Sequence, residues 1–470
     1  MTDPRAVSGR RRFIRPWATY AVLLAVAGVL GCTGQVPARP AAHQSAASQA
    51  AGHRSQAAGR APARAAGISE VSRGCPGANA EPISAAAPNG YVYLAWIGCG
   101  GIGFARSTDG GAHFGAPTLV PGSRDVGPRF SWDPSVAAGP DGKVYVAYMF
   151  RTKTYFTPVV AASSDHGVTF PQVHQVAPNT RGNFGDRDFI AVGPSGKLFL
   201  TWDYGPDARK IKTGCAKHGS CYFTAGDVNA VIQTSVDSGK TWSRIAPVAP
   251  GFPRNGGVSA PLVVRPGGRV DVLYWGHRIG SPPADKLHAG HEFFTASPDG
   301  KTWPRYPREI FPGRGSIALP TWWIDGSLAV DSAGTLYATW DTQSAAGDTG
   351  WLTWSANDGG SWAKPVRVTG SGGRAMHLMQ ATGAGRGLAY VGWQTSASHK
   401  GYGTYVRLFS IRKGWIGKAI RVSPLFGNAK HWPGDTIGLA RPAGHRGLSV
   451  AWGSAVGTSR FSEIWATVVH

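Results

Sequence analysis

The chain has 470 residues, among them 66 Gly, 34 Pro and 18 Trp, and 48 Lys and Arg against 26 Asp and Glu give it a formal charge of +22. This composition favours many short strands joined by turns over long helices, and the length suits one large repeat domain or two ordinary ones. The sequence contains no helix-turn-helix, zinc-finger or RNA-binding signature, so nucleic acid is not an expected partner.

The first 32 residues are predicted to be an export signal. Arg-Arg-Arg-Phe-Ile-Arg at 10–15 precedes an uncharged run over 17–30, which is shorter than the roughly 20 apolar residues of a membrane span. The arginine motif resembles a twin-arginine signal, and Val-Leu-Gly-Cys at 29–32 resembles a lipobox in which Cys32 is lipidated. We expect a lipoprotein on the outer side of the cytoplasmic membrane, with an ordinary secretory signal as the alternative.

Residues 33–66 consist mostly of Ala, Gln, Ser, Pro, Gly and Arg. Because this segment has almost no large apolar side chains to bury, we expect a flexible tether. Residues 1–66 contribute +8 to the net charge and the remaining chain contributes +14. Such a surface attracts acidic polymers, although a merely solvated basic surface is an equally good interpretation.

A short motif, Ser-x-Asp-x-Gly followed by an aromatic residue, recurs in the rest of the chain. Its copies lie at 107–114, 163–170, 235–242, 297–303 and 355–362, where the fourth is one residue short and the fifth has Asn for Asp. In such a turn the carboxylate or amide accepts backbone hydrogen bonds, glycine takes the left-handed conformation and the ring packs under the sheet. The five copies resemble the Asp-box (BNR) repeat of sialidase-like β-propellers, here in an exported bacterial lipoprotein form. The resemblance implies a propeller whose boxes lie away from the active site.

A longer repeat spans residues 67–470. Each unit has an apolar strand, a glycine turn and an alternating strand, and the second strands end at Trp96, Tyr148, Trp202, Trp275, Trp340, Trp393 and Trp452. We therefore predict an all-β, seven-bladed β-propeller of four-stranded antiparallel blades. Six blades, the number in the sialidases that the chain resembles, is the alternative. The sixth unit lacks a box, and the seventh ends after its third strand, so residues 67–72 are predicted to close the ring.

Four cysteines follow the lipobox: Cys75, Cys99, Cys215 and Cys221. In an exported protein an even number suggests two disulfides, and proximity in sequence favours Cys75–Cys99 and Cys215–Cys221 among the three pairings. Zinc binding is disfavoured because no Cys-x-x-Cys or matching His spacing is present. The insertion at 203–229, which holds the second pair, is interpreted as a lid or partner-binding loop.

Strand direction places the starts of first strands and the ends of second strands on one face of the disc, which we call the mouth. The candidate acid/base carboxylates there are Asp133, Asp188, Asp325 and Asp435, and the candidate substrate-binding residues are Arg151, Arg187, Arg278, His377, Trp323 and Tyr204. Arginine binds carboxylates by paired hydrogen bonds, rings stack on sugars, and two carboxylates can act as acid and base. For any single Asp, satisfying a turn is the simpler interpretation, but the face as a whole favours a binding site.

The resemblance to sialidases implies three arginines on the substrate carboxylate, the first in Arg-Ile-Pro, with a Tyr–Glu pair and an Asp acid/base. The nearest string is Arg-Ile-Gly at 278–280. Among five Glu residues only Glu292 is a candidate Tyr partner, and we expect it to face solvent on a third strand. The catalytic set therefore does not transfer.

Two functional hypotheses follow. The first is a cell-surface propeller that binds glycans, an acidic polymer or a protein partner at its mouth. The alternative is an exo-acting glycoside hydrolase of the exo-α-sialidase type that acts on acidic saccharides. Neither requires a cofactor, although calcium is a candidate because oxygen ligands from several blades could converge. We expect a monomer that meets the membrane through its lipid anchor only.

Overall fold

The computed structural model describes residues 67–470, except 128, 179, 216–220, 253, 255, 278, 280–290, 312–318, 321–325, 345–346, 369–374, 397–401, 424–432 and 457–460. Within this part the chain is an all-β, seven-bladed propeller of four-stranded antiparallel blades, which confirms the predicted fold class. The predicted signal peptide, Cys32 and the tether lie outside the described residues.

The first three blades follow the chain in order, and each begins with its inner strand. Blade 1 comprises β2 (Ala80–Ala86), β3 (Val92–Gly98), β4 (Gly101–Ser107) and β5 (Thr118–Leu119). Blade 2 comprises β6 (Phe130–Ala138), β7 (Val144–Arg151), β8 (Phe156–Ser163) and β9 (Gln172–Gln175). Blade 3 comprises β10 (Phe184–Val192), β11 (Leu198–Gly205), β14 (Asn229–Ser235) and β15 (Ala246–Pro247), with a 3-10 turn (Ala208–Lys210) and the hairpin β12 (Lys212–Cys215) and β13 (Cys221–Ala225) inserted after β11.

The remaining blades complete the ring. Blade 4 comprises β16 (Leu262–Val264), β17 (Val270–Gly276), β18 (His291–Ser297) and β19 (Arg308–Phe311). Blade 5 comprises β20 (Leu319–Pro320), β21 (Ser327–Val330), β22 (Leu336–Ser344), β23 (Gly347–Ser355) and β24 (Val366–Arg367). Blade 6 comprises β25 (Ala375–Gly385), β26 (Leu388–Ser396), β27 (Gly403–Ser410) and β28 (Gly414–Arg421), so it has its outer strand although it lacks a box. Blade 7 comprises β29 (Gly438–Ala440), β30 (Leu448–Ser454), β31 (Glu463–Val469) and β1 (Ser69–Glu70).

Alternating side chains on each strand pack against the two neighbouring blades. On β7, Val146 and Tyr148 pack towards blade 1, whereas Ala147 and Met149 pack towards blade 3. The aromatic residues near the ends of the second strands are buried at the blade junctions, with Trp96, Trp202, Trp340, Trp393 and Trp452 fully enclosed. The core therefore lies between the blades and continues around the ring.

The N-terminal strand closes the ring, as predicted. β1 pairs with β31 in an antiparallel register that sets Ser69 opposite Ala466. The predicted Cys75–Cys99 disulfide is present and ties the segment after β1 to the β3–β4 turn. The Glu463 carboxylate accepts hydrogen bonds from the Ser72 hydroxyl at 2.8 Å and the Asn79 amide at 2.9 Å. These bonds join blade 7 to the segment that leads into blade 1.

The five repeated turns, called the box turns, have the hydrogen bonds that their sequence predicts. In the third, the Asp237 carboxylate accepts from the Ser235 hydroxyl at 2.8 Å and the Thr241 backbone N–H at 2.9 Å. Hydrogen bonds from the Thr241 hydroxyl and backbone hold the pKa of Asp237 at about 2. In the fifth, Asn357 makes the same bond to the Ser361 backbone at 2.9 Å. The box turns follow the third strands, so they lie on the face opposite the mouth, called the box face.

No helix in the described part of the chain is both long enough and apolar enough to cross a bilayer.

Candidate functional site

The first strands of several blades begin at the mouth with a non-glycine residue in the left-handed region. Glu81, Asp133 and Arg187 have φ angles of 56°, 44° and 36°, and each lies where the register of its strand shifts. Such angles are uncommon for non-glycine residues, and β-bulges re-aim side chains next to functional sites. The repeated bulge is the local device that presents polar side chains at the mouth.

The bulge in blade 3 places Arg187 at the centre of an ion-pair cluster. Its Nη2 lies 2.9 Å from Asp435 Oδ2 of blade 7 and its Nη1 lies 3.6 Å from Asp186 Oδ2. Its backbone N–H donates to Asp133 Oδ2 of blade 2 at 3.2 Å. We call Asp133, Asp186, Arg187 and Asp435 the axial cluster. Because the Arg187 side chain is only 8% exposed, these contacts join three blades in a largely desolvated setting.

The structure brings two of the four predicted acid/base carboxylates together. Asp133 and Asp435 lie together at Arg187, whereas Asp188 is 2% exposed and sits within the blade rather than at the mouth surface. Asp325 lies outside the described residues. Two of the four candidates thus share one site, and both are engaged with Arg187 there.

A second cluster lies at the mouth between blades 2 and 3. Strand register sets Arg151 between Phe130 and Phe156, and all three side chains are half-buried. The Phe130 and Trp132 rings stack with centroids 5.7 Å apart, and Trp132 meets Phe156 edge-on at 5.9 Å. Phe184 of blade 3 follows, 6.4 Å from Phe156. We call Arg151 and these four rings the aromatic crevice.

Arg151 is the cation of this crevice that has no partner within the described part of the chain. Its side chain makes no ion pair or hydrogen bond to any described residue, in contrast to Arg187. The crevice is joined to the axial cluster because the Trp132 indole N–H donates to Asp186 Oδ1 at 2.8 Å. A half-buried guanidinium beside aromatic faces is well suited to bind a carboxylate or sulfate on a stacked sugar.

Exposed cations surround the aromatic crevice. Arg124 and Arg129 precede β6, Lys153 lies in the β7–β8 turn and Arg181 precedes β10, and all four are exposed. The loops that carry them also contact each other, since the Gly182 N–H donates to the Thr154 carbonyl at 2.7 Å. This rim raises the local concentration of anions near Arg151.

The insertion in blade 3 folds as a hairpin beside the crevice. Ile211 and Phe223 anchor it and are 6% and 1% exposed, and the Phe223 ring lies 5.9 Å from Phe184. The register sets Cys215 opposite Cys221, but the predicted disulfide between them concerns side chains outside the described set. Tyr204, at the base of the insertion, is half-buried, and burial together with the charge of Asp227 raises its pKa.

Other predicted site residues cannot be placed at the mouth. Arg278 and Trp323 lie outside the described residues, and His377 lies on β25 with its side chain not described. Glu292 lies on a third strand as expected, but the prediction that it faces solvent is wrong because it is 4% exposed. The register sets it between Trp275 and Phe311, where blade 5 covers this face, and burial raises its pKa to about 8.

Sequence reasoning selected Arg151 but missed Phe130, Phe156 and Phe184. These rings lie on different strands, and only the blade register shows that they are half-buried together at the mouth. A sequence signal was available, since Phe130 and Trp132 alternate on one face of a first strand between arginine-bearing loops.

Among the side chains described, no group of three His, Cys, Asp or Glu residues is arranged to hold a metal ion. The axial carboxylates instead have Arg187 as their cation. Calcium binding remains a prediction from the sequence.

No protein-family model and no curated protein matches the chain. Among solved structures it is similar to an ulvan lyase of a new polysaccharide lyase family, bound to -[GlcA(1-4)Rha3S]-, with a TM-score of 0.52, 13% identity and coverage of 86% of this chain and 96% of that one. A protein of unknown function from Dyadobacter fermentans has a TM-score of 0.50 at 12% identity, covering 73% and 95%. The NanB sialidase from Streptococcus pneumoniae has a TM-score of 0.48 at 11% identity, covering 80% and 83%. At such low identity, similarity supports the propeller fold and leaves the activity to be argued from the site.

Proposed function

We propose that this chain is a sialidase-like Asp-box propeller that binds acidic glycans at its mouth without the full sialidase catalytic set. The observation that carries the proposal is the aromatic crevice, where Arg151, which has no ion-pair partner among the described residues, lies in register between Phe130 and Phe156. Rings of this kind stack on the apolar faces of sugars, and a half-buried guanidinium binds a carboxylate or sulfate more strongly than an exposed one.

Within the proposal the axial cluster has a bracing role. Asp133 and Asp435 both contact Arg187, so neither is poised as a free general base, and Arg187 already has carboxylate partners. An exo-acting glycoside hydrolase is the alternative, since two carboxylates at one mouth could serve as acid and base once a substrate displaced these contacts.

We also propose that the protein is exported and anchored through Cys32 outside the cytoplasmic membrane. The Cys75–Cys99 disulfide supports an oxidising compartment. Labelling with radioactive palmitate tests the anchor, since the parent should incorporate label and Cys32→Ala should not. Label on both proteins would contradict anchoring at this cysteine.

Binding at the mouth is tested by calorimetry of the purified protein with oligogalacturonate and a heparin-derived octasaccharide, with maltoheptaose as the neutral control. Arg151→Ala should weaken binding of the acidic oligosaccharides at the mouth by about 10- to 100-fold, equivalent to ~1.4–2.8 kcal/mol. Arg151→Lys should retain part of the affinity. Arg244→Ala, at an exposed cation on the box face, is the matched control and should bind as the parent does.

Unchanged affinity in Arg151→Ala would overturn the proposed site. The same preparations should be assayed for turnover of a panel of aryl glycosides, sialoside included. Turnover that is lost in Asp133→Asn and Asp435→Asn would establish the hydrolase alternative instead.

A further inference from the structure

A groove of about 500 Å³ lies on the box face between blades 4 and 5. It is bounded by the β16–β17 turn of blade 4, by the fourth box turn with the segment after it, and by the fifth box turn. Its lining includes Arg269, Phe294, Pro304, Tyr306, Arg308 and Asp358, and we call it the basic groove. It lies on the opposite face of the disc from the aromatic crevice.

The groove exists because two neighbouring turns carry few large side chains that could fill the space between them. The fourth box turn is one residue shorter than the others and continues into Pro-Arg-Tyr-Pro at 304–307, while the β16–β17 turn is Pro-Gly-Gly at 266–268. At the equivalent junction of blades 1 and 2, Tyr91 packs against His166 of the box turn at 5.9 Å. At the junction of blades 7 and 1, His445 fills the space, because a Cβ at Gly110 would come within 2.5 Å of its ring.

The groove presents one ring, Tyr306, and one cation, Arg308, to solvent. Tyr306 is 57% exposed, and the Arg305 guanidinium lies over its ring at 5.4 Å. Arg308 is exposed, and its side chain makes no ion pair or hydrogen bond to any described residue. Arg308 is thus available to an anion that approaches Tyr306, whereas Arg305 lies outside the groove lining.

The other charges of the groove are already matched. The Arg269 guanidinium donates to Asp271 at 2.8 Å and to the Asp358 carbonyl at 2.7 Å. The Asp358 carboxylate accepts a hydrogen bond from the Arg265 guanidinium, which weakens its electrostatic repulsion of a bound anion. Phe294 is 4% exposed and forms an apolar floor. The net result is a rigid, positively charged platform with one exposed ring.

We propose that the basic groove is a second binding site for anionic saccharide units, separate from the mouth. The sugar stacks on the face of Tyr306 that Arg305 does not cover, while its carboxylate or sulfate is held by Arg308. The Tyr306 ring, which lies between Pro304 and Pro307 in the sequence, is suited to stack on the face of a pyranose. Arg308 follows on β19, the outer strand of blade 4. The chain would then hold an acidic polysaccharide at two faces, which raises its avidity without further contacts.

Calorimetry of the full chain with the heparin-derived octasaccharide tests this inference. The parent should bind two oligosaccharides per chain, and the double variant Tyr306→Ala with Arg308→Ala should bind one. Tyr306→Phe should keep the second site, because it retains the stacking face. Lys301→Ala with Arg244→Ala, which removes two exposed cations outside the groove lining, is the matched control and should leave the stoichiometry at two.

The two sites fail separately in this experiment. If Tyr306→Ala with Arg308→Ala changes neither stoichiometry nor affinity, the second site is overturned whatever Arg151→Ala does. If only Arg151→Ala has no effect, the mouth proposal fails and the groove stands. Poly-glutamate binding at least as tightly as the octasaccharide, with the same sensitivity to Tyr306→Ala, would overturn the saccharide class in favour of acidic protein.

Discussion

The box face and the mouth use aspartate in two different ways. In the box turns a carboxylate such as Asp237 accepts hydrogen bonds from residues two and four positions away in its own turn. At the mouth, Asp435 pairs with Arg187, which is 248 residues distant, and Asp133 accepts from the Arg187 backbone 54 residues away. The first use is local and repeats from turn to turn, whereas the second joins residues that are far apart in the sequence.

This difference predicts how much stability is lost when a contact of each kind is removed. A box turn satisfies itself, so losing one affects one blade edge and leaves the other described turns intact. The axial cluster joins blades 2, 3 and 7, so losing the Arg187 side chain takes this cation from the partly buried Asp186 and Asp435, whereas the backbone bond to Asp133 remains. The comparison predicts a graded series of effects.

The largest effect is expected from removing Arg187. Arg187→Met should lower the free energy of unfolding by about 3–5 kcal/mol, because it removes the cation that pairs with the partly buried Asp186 and Asp435. Chemical denaturation of the purified protein measures this loss. Adding Asp435→Asn should recover part of it, since fewer unpaired charges remain, and a loss below ~1 kcal/mol would show that the axial cluster is not a brace.

Glu292 differs from both groups of aspartates. Among the described residues its carboxyl group has neither a hydrogen-bond partner in its own turn nor a partner from another blade. Its pKa of about 8 in the folded protein lies above the unfolded value of about 4.3. Stability contributed by the protonated side chain is therefore full below pH ~4.3 and is lost as pH rises towards 8. Glu292→Gln should gain on the order of 2–4 kcal/mol at pH 9 and almost nothing at pH 4. Unfolding free energies measured across this range that run parallel for both proteins would contradict the assignment.

A smaller effect is expected from a single box turn. Asp237→Ala should cost about 1 kcal/mol through lost hydrogen bonds. Asp237→Asn should cost less than ~0.5 kcal/mol, because Asn357 makes the same backbone bond in the fifth turn. Thermal unfolding distinguishes the two, and oligosaccharide affinity should be unchanged in both. An altered affinity would show that the box turn affects oligosaccharide binding, contrary to the separate roles of the two faces.

The same turn has its own pH dependence. The pKa of Asp237 is about 2 in the folded protein, below the unfolded value of about 3.9. Its contribution is therefore present above pH ~4 and lost as pH falls towards 2. The difference in unfolding free energy between the parent and Asp237→Ala should shrink over this acid range, and a constant difference would contradict the hydrogen-bonded carboxylate.

The smallest effect is expected from calcium. Because the Arg187 guanidinium already pairs with Asp186 and Asp435, adding calcium or a chelator should shift the melting temperature by less than about 1 °C, a change of ~0.8 kcal/mol or less. A clear rise with calcium would show that oxygen ligands at the mouth hold the ion after all.

The sequence by itself determined the features that depend on short-range or periodic signals. The box turns follow from Ser, Asp and Gly at fixed spacing, because all their hydrogen bonds lie within four residues. The seven blades follow from a repeated strand pattern, and the unfinished seventh unit implied the pairing of β1 with β31. Proximity in sequence likewise indicated Cys75–Cys99.

Only the tertiary structure decided which side chains meet at the mouth and which are covered. Arg187 and Asp435 meet because the ring closes, and nothing in either local sequence encodes the partner. Glu292 is buried because blade 5 covers one face of β18, a matter of blade packing rather than of strand pattern. Phe130 and Phe156 flank Arg151 through strand register, and the local sequence of none of the three strands encodes that arrangement. Local geometry is fixed by covalent neighbours, whereas a site assembled from separate blades depends on how the whole ring closes.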